Sequence, residues 1–328
     1  MNTRRGVLAG GAALALVGAR GRGAEPAIEI VASGLAFPEG IVAAPDGTLL
    51  FVEIAGGTLC RLDPARGHVS VVARPGGGPN GTTIGPDGAA YLANNGGLVF
   101  TRGANGRLSP TGVPDSYRGG AIQRVDLATG NVTSLYEAVD GERLKAPNDI
   151  TCDAFGDLWF TDTGKSHARS RDNGGLYWAR ADGSAIRAMA YPLQTPNGLA
   201  FAPDGRTLYV ALSDRREIAA FTVTGRGELA PGPPRIIAAL GGVRLFDNIA
   251  VAQDGTILVA CVLTGEIVVL SPAGEVLRTL AVPDPAPTAL AFAGPDMREL
   301  YVTLSGSGRI ARIAWGVPGL RHPQPRRT

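Results

Sequence analysis

The run Thr195-Pro196-Asn197-Gly198-Leu199-Ala200-Phe201-Ala202-Pro203-Asp204-Gly205-Arg206-Thr207-Leu208-Tyr209-Val210-Ala211 holds two short apolar segments on either side of a Pro-Asp-Gly turn. Short apolar segments joined by turn formers read as a β-hairpin. The pattern, Pro-X-Gly-apolar, a turn and a second apolar strand, recurs six times, in places only approximately. The copies begin at Pro38, Pro79, Pro147, Pro196, Phe246 and Pro287, at intervals of 41, 68, 49, 50 and 41 residues. A third strand usually follows, as in Ile122-Gln123-Arg124-Val125-Asp126, and fourth strands fit Val69 to Ala73 and Val276 to Leu280. Four strands per period of about 40 to 50 residues is the signature of a propeller blade. The expected fold is therefore all-β, a six-bladed β-propeller with four-stranded antiparallel blades. A single such sheet cannot bury both faces, so the blades must pack on one another in a ring. The strand-like Ile28-Glu29-Ile30-Val31-Ala32 is placed to close that ring by joining the last blade, next to the strand running from Arg309 to Trp315. The excess length of the 68-residue interval falls near Thr101 to Gly119, and a loop of that length in a compact domain is often functional.

Composition agrees with many short strands. Hydrophobic residues make up 45% of the 328, charged residues only 18%, and 47 Gly with 24 Pro imply frequent tight turns. The formal charge is +2, with no block of like charge to follow a phosphate backbone, so nucleic acid is excluded as a partner. Cys60, Cys152 and Cys261 are odd in number and far apart, and they read as small buried hydrophobes rather than disulfides or thiolate ligands. The N-terminus has paired arginines, Arg4-Arg5, then a short apolar run to Val17 and small residues through Ala24. That run is too short and Gly-rich to span a bilayer, and it resembles a twin-arginine signal cleaved between Ala19 and Ala24. The expected organisation is a signal over residues 1–24, a propeller over 25–317 and a loose basic tail over 318–328. The mature protein is expected in the periplasm or outside the cell, without stable membrane insertion.

The second residue of each copy should lie near the propeller axis, all six at one end. That column reads Glu39, Asn80, Asn148, Asn197, Asp247 and Thr288, every one with an oxygen-bearing side chain. Asn and Asp beside Gly form turns on their own, but Glu39 is not a turn former. Two carboxylates converging at a channel mouth repel unless a cation or proton lies between them. Carboxylates and amide carbonyls suit one hard divalent cation, calcium first, with magnesium, manganese or zinc as alternatives. The column contains no His or Cys, which disfavours the usual nitrogen and sulfur zinc site. No Gly-X-Ser-X-Gly elbow, phosphate loop or His-Glu-X-X-His helix is present, and His68, His167 and His322 are scattered. Thr163 to Asn173, with Lys165, His167, Arg169 and Arg171, reads as an irregular loop with solvated charges.

Three motifs, Phe37-Pro38-Glu39-Gly40, Ala146-Pro147-Asn148-Asp149 followed by Asp157-Leu158-Trp159-Phe160-Thr161-Asp162, and Thr195-Pro196-Asn197-Gly198, occur in order and at blade spacing. Together they resemble the senescence marker protein, gluconolactonase and luciferin-regenerating enzyme family over about residues 30 to 315. The resemblance implies metal ligation by Glu39, Asn197 and Asp247, with Asn148 as a further ligand or substrate contact. It marks Asp247 as the acid–base residue and implies hydrolysis of a small lactone or related ester. Asn80, Asn148 and Asn248 are the expected substrate contacts. Two departures accompany it: Phe246-Asp247-Asn248 replaces the common Pro-Asp-Gly, and Ala146 stands where sugar-lactone members often carry Arg. The alternatives are a non-catalytic ligand- or protein-binding propeller, a propeller acting on other esters or phosphotriesters, and a condensing enzyme resembling strictosidine synthase.

Overall fold

The second strands of the repeats, such as Leu49–Glu53 and Leu158–Asp162, are buried almost throughout, whereas a fourth strand such as Val276–Ala281 is mostly exposed. That gradient belongs to blades whose inner strands are covered on both faces by neighbouring blades. The computed structural model describes residues 26–321 and, within them, forms twenty-nine strands and no helix. The expected signal over residues 1–24 and the tail beyond Arg321, with His322, lie outside the described residues.

Blade 1 comprises Pro38–Ala43, Leu49–Glu53, Thr58–Asp63 and His68–Ala73, paired antiparallel in that order. Blades 2 to 5 repeat it from inner strands Pro79–Ile84, Pro147–Cys152, Pro196–Phe201 and Leu245–Val251, with a short extra strand, Glu228–Leu229, added in blade 4. Blade 6 takes three strands from Pro287–Ala293, Glu299–Leu304 and Arg309–Ala314, and its fourth is Ile28–Ser33 from the other end of the chain. The expected closure is thus formed, with Glu29 also accepting from Arg312 at 2.7 Å. Six hydrophobic clusters lie one between each neighbouring pair of blades, and the last joins blade 6 to blade 1 through residues such as Ala291, Tyr301, Phe51 and Leu62. Burial between blades rather than within one sheet holds the ring together.

The three cysteines are free and buried, as expected of small hydrophobes. One expectation needs correction: the tail is not loose from Pro318. Pro318 O accepts from Gln253 N, Gly319 bridges Ala252, and Leu320 N donates to Val251 O, so the chain packs on blades 5 and 6 at the end opposite the column before leaving the described residues. The channel near that end holds a cavity of about 340 Å³ lined by Ile41, Ile150, Phe201, Ile249, Leu290 and Leu320 among others.

Candidate metal-binding and catalytic site

A register shift interrupts the pairing of every inner strand with its neighbour, and it falls at or just after the column residue. The shifts lie between Glu39 and Val42, Pro79 and Gly81, Pro147 and Ile150, Pro196 and Leu199, Phe246 and Ile249, and Pro287 and Leu290. A bulge bends the strand and re-aims a side chain, so six bulges in one layer turn the six polar column residues, one per blade, out of the sheet pattern together. The inner strands approach closely there. A Cβ on Gly40 would lie 2.1 Å from Asn80 O, one on Gly81 2.5 Å from Asn148 O, and one on Gly198 2.5 Å from Asp247 O. Only glycine fits such contacts, which explains the Pro-X-Gly form of those repeats.

Hydroxyls at the ends of second strands fix the next blade's column segment. Thr161 donates to Asn197 O at 2.6 Å, Ser213 donates to Phe246 O, and Ser305 donates to Pro38 O. Thr288 also contacts Ser305, and its hydroxyl lies 2.9 Å from that of Thr303. These three donors escaped the sequence reading because an isolated Ser or Thr at a strand end carries no signal of its own.

The ring's charges are mutually unfavourable. Burial raises the Glu39 carboxyl well above the usual carboxylate range, the negative charges of Asp247 and Asp149 raise it further, and hydrogen bonds from Gly40 N and Thr288 pull the other way. Burial pushes Asp247 up to about 8, Asp149 adds to this, and a hydrogen bond from the Asn197 side chain opposes it. Burial likewise raises Asp149 to about 7 against hydrogen bonds from Leu199 N, Ile150 N and the Asn248 amide. Three recessed carboxyls therefore lie within reach of one another's charge, which makes ionising all three unfavourable. In addition, Asn197 Oδ1 is buried without a hydrogen-bond partner, an acceptor left open beside Asp247.

Glu39, Asn197, Asp247 and Thr288 are thus linked directly, while Asn80 and Asn148 occupy the matching positions of blades 2 and 3. Asn248 is set one residue further along the strand. Its Nδ2 donates to Asp149 Oδ2 at 2.8 Å and its Oδ1 accepts from Leu290 N at 3.1 Å, so its amide joins blades 3, 5 and 6. Asp149 Oδ2 also accepts from Leu199 N of blade 4 at 3.0 Å. Asp149 and Asn248 stand where blades 1, 2 and 4 have Gly40, Gly81 and Gly198. Asp149 went unassigned in the sequence, although an acidic residue in a glycine column was a readable signal.

The donor set is entirely oxygen, and among the described residues no three His, Cys, Asp or Glu side chains converge at metal-ligand spacing. The residues that fit a hard divalent cation are accordingly two carboxylates, Glu39 and Asp247, with amide oxygens that include the open Asn197 Oδ1.

Residues 37–306 match the family described as the SMP-30/Gluconolactonase/LRE-like region. The chain is similar to a gluconolactonase of Zymomonas mobilis, 25% identical over 316 residues covering 87% of this chain and 80% of that one. It is 28% identical over 265 residues to a 6-deoxy-6-sulfogluconolactonase of Pseudomonas putida, covering 80% and 81% of the two chains. Its fold matches the crystal structure of a calcium-binding protein, regucalcin, from Agrobacterium tumefaciens, with a TM-score of 0.72 at 21% identity over 92% of this chain and 98% of the other. The bulged ring, its glycine contacts and the sequence match over six blades lead to one conclusion: this chain belongs to the SMP-30/gluconolactonase/LRE-like family.

Proposed function

We propose that the protein is a hydrolase that opens a small lactone or related ester, dependent on one divalent cation, calcium first, held by Glu39, Asn197 and Asp247 with Asn148 beside them. The observation that carries this reading is the recessed all-oxygen ring, with opposed carboxyls and an unpartnered amide oxygen. A hard cation there supplies Lewis acidity at a carbonyl oxygen. Asp247 is held by Asn197 and, once ionised, can take a proton from water as the water oxygen attacks the lactone carbonyl carbon. The same carboxyl then returns that proton to the ring oxygen as the acyl C–O bond breaks, releasing a hydroxy acid. Glu39 balances charge and shapes the ring, and Asn80 and Asn148 offer amide groups to the substrate. Asn248 lies beneath this layer and supports Asp149 and the blade 6 backbone. The relatives named for gluconolactone and sulfogluconolactone hydrolysis support the lactone class. The proposal includes export through residues 1–24 to the periplasm or beyond.

The direct test is acid release from a panel of γ- and δ-lactones and aryl esters, with products identified by mass spectrometry. Ring opening of at least one lactone is expected. A cation-induced rise in melting temperature with no turnover of any panel member would make the protein a cation-dependent binding propeller instead.

A further inference from the structure

The long interval in blade 2 forms a hairpin, Val99–Arg102 paired with Leu108–Gly112. It rises from the mouth end of blade 2, yet its contacts lie on other blades. The Phe100 ring centroid is 4.9 Å from that of Phe37 in blade 1, and Leu108 N donates to Gly306 O of blade 6 at 2.8 Å. Both contacts adjoin the ring: Phe37 is two residues before Glu39, and Gly306 follows the Ser305 that donates to Pro38 O. Phe37 is buried but belongs to none of the six interblade clusters. Its φ of 60° is one that non-glycine residues seldom adopt. The hairpin, rather than a core, receives its ring.

The hairpin's base is fixed from blade 3. Lys165, expected to be solvated, is instead buried: it donates to Gly97 O at 2.7 Å and lies 5.0 Å from the Tyr117 ring centroid, while the Tyr117 hydroxyl donates to Lys145 O at 2.6 Å. Burial pushes the Lys165 ammonium down to about 8, so its partners hold a group that is costly to bury. Across the mouth, blade 5 leaves Val243 and Leu263 exposed at 74% and 60%, flanking the Leu245–Val262 pair next to Asp247.

We infer that this hairpin is a wall of the substrate site laid over blades 1 and 6, with half-buried Phe100 as its apolar face and buried Phe37 backing that ring, and that it selects lactones bearing an aliphatic substituent over unsubstituted ones. Lys165 is a positioning residue that holds the wall's base. The selection rests on the lactone-hydrolase reading, whereas the anchoring by Lys165 does not.

Two measurements test it on the full chain with its cation. One is the ratio of kcat/KM for γ-nonalactone to that for γ-butyrolactone. The other is the rate of tryptic cleavage after Arg102 and Arg107 in the hairpin. The parent should prefer the substituted lactone, and Phe100→Ala should reduce the preference about tenfold, mainly through KM, as lost apolar burial predicts. Lys165→Met should reduce it similarly and speed hairpin cleavage by about tenfold or more. A folded Phe100→Ala protein with the parental ratio, or a parent preferring γ-butyrolactone, overturns the selection. Equal cleavage of Lys165→Met and parent overturns the anchoring. If the parent hydrolyses neither lactone nor any other, the hydrolase reading and the selection fall together, and cleavage still decides the role of Lys165.

Discussion

Asp247 carries the heaviest assignment. Asp247→Asn keeps size and an oxygen donor but removes the negative charge and the proton acceptor. At saturating cation, kcat for lactone opening should fall by roughly 10²- to 10⁴-fold, the scale of a lost general base. Turnover within a few-fold of the parent would remove Asp247 from proton transfer and leave it as a ligand. The raised carboxyls also fix a pH dependence. Asp149 at about 7 and Asp247 at about 8 hold protons in the cation-free protein that the unfolded chain would release nearer pH 4. Their contribution to cation-free stability is therefore complete at low pH and is lost as pH rises through about 7 to 8. A cation competes with those protons, so calcium should raise the melting temperature more at pH 8 than at pH 5.5, as calorimetry can show. An equal or smaller rise at pH 8 would mean that the carboxyls are not where the cation binds. The polar column was legible at this scale because six residues repeat at one position. Asp149 and the hydroxyls of Thr161, Ser213 and Ser305 were not, since their roles depend on contacts between blades 33 to 267 residues apart in sequence numbering.

At the scale of the strand, blade-to-blade contact explains why the repeats read as they do. Gly40 has φ of 52°, and a Cβ there would press on Asn80 O and the Gly81 backbone. Gly40→Ala should destabilise the protein by about 1–3 kcal/mol, read as a lower urea midpoint with unchanged slope. A midpoint equal to the parent's would show that blades 1 and 2 do not meet as closely as described. Strand order and closure were legible from the apolar hairpins and from Ile28 to Ala32, because burial on both faces leaves short continuous apolar runs and burial on one face leaves alternation. The bulges were not, because a one-residue slip in pairing leaves no mark on composition. The excess near Thr101 to Gly119 was recognisable as an insertion, but its course to Phe37 and Gly306 arises from contacts that only the folded ring creates.

For the molecule as a whole, the propeller is a frame that brings six chain-distant residues into one layer, with neighbouring blades covering its flanks. The C-terminal Pro318–Leu320 segment packs at the opposite end, and the proposed site lies at the column end. The account depends on the oxygen ring holding the cation that makes lactone opening fast. Its most direct test is acid release by protein that has been exhaustively chelated, with metal content checked, and then reconstituted with calcium. Chelated protein should lose activity by about 100-fold or more and recover it with about one calcium per chain. Full turnover by protein shown to be free of metal would contradict the account.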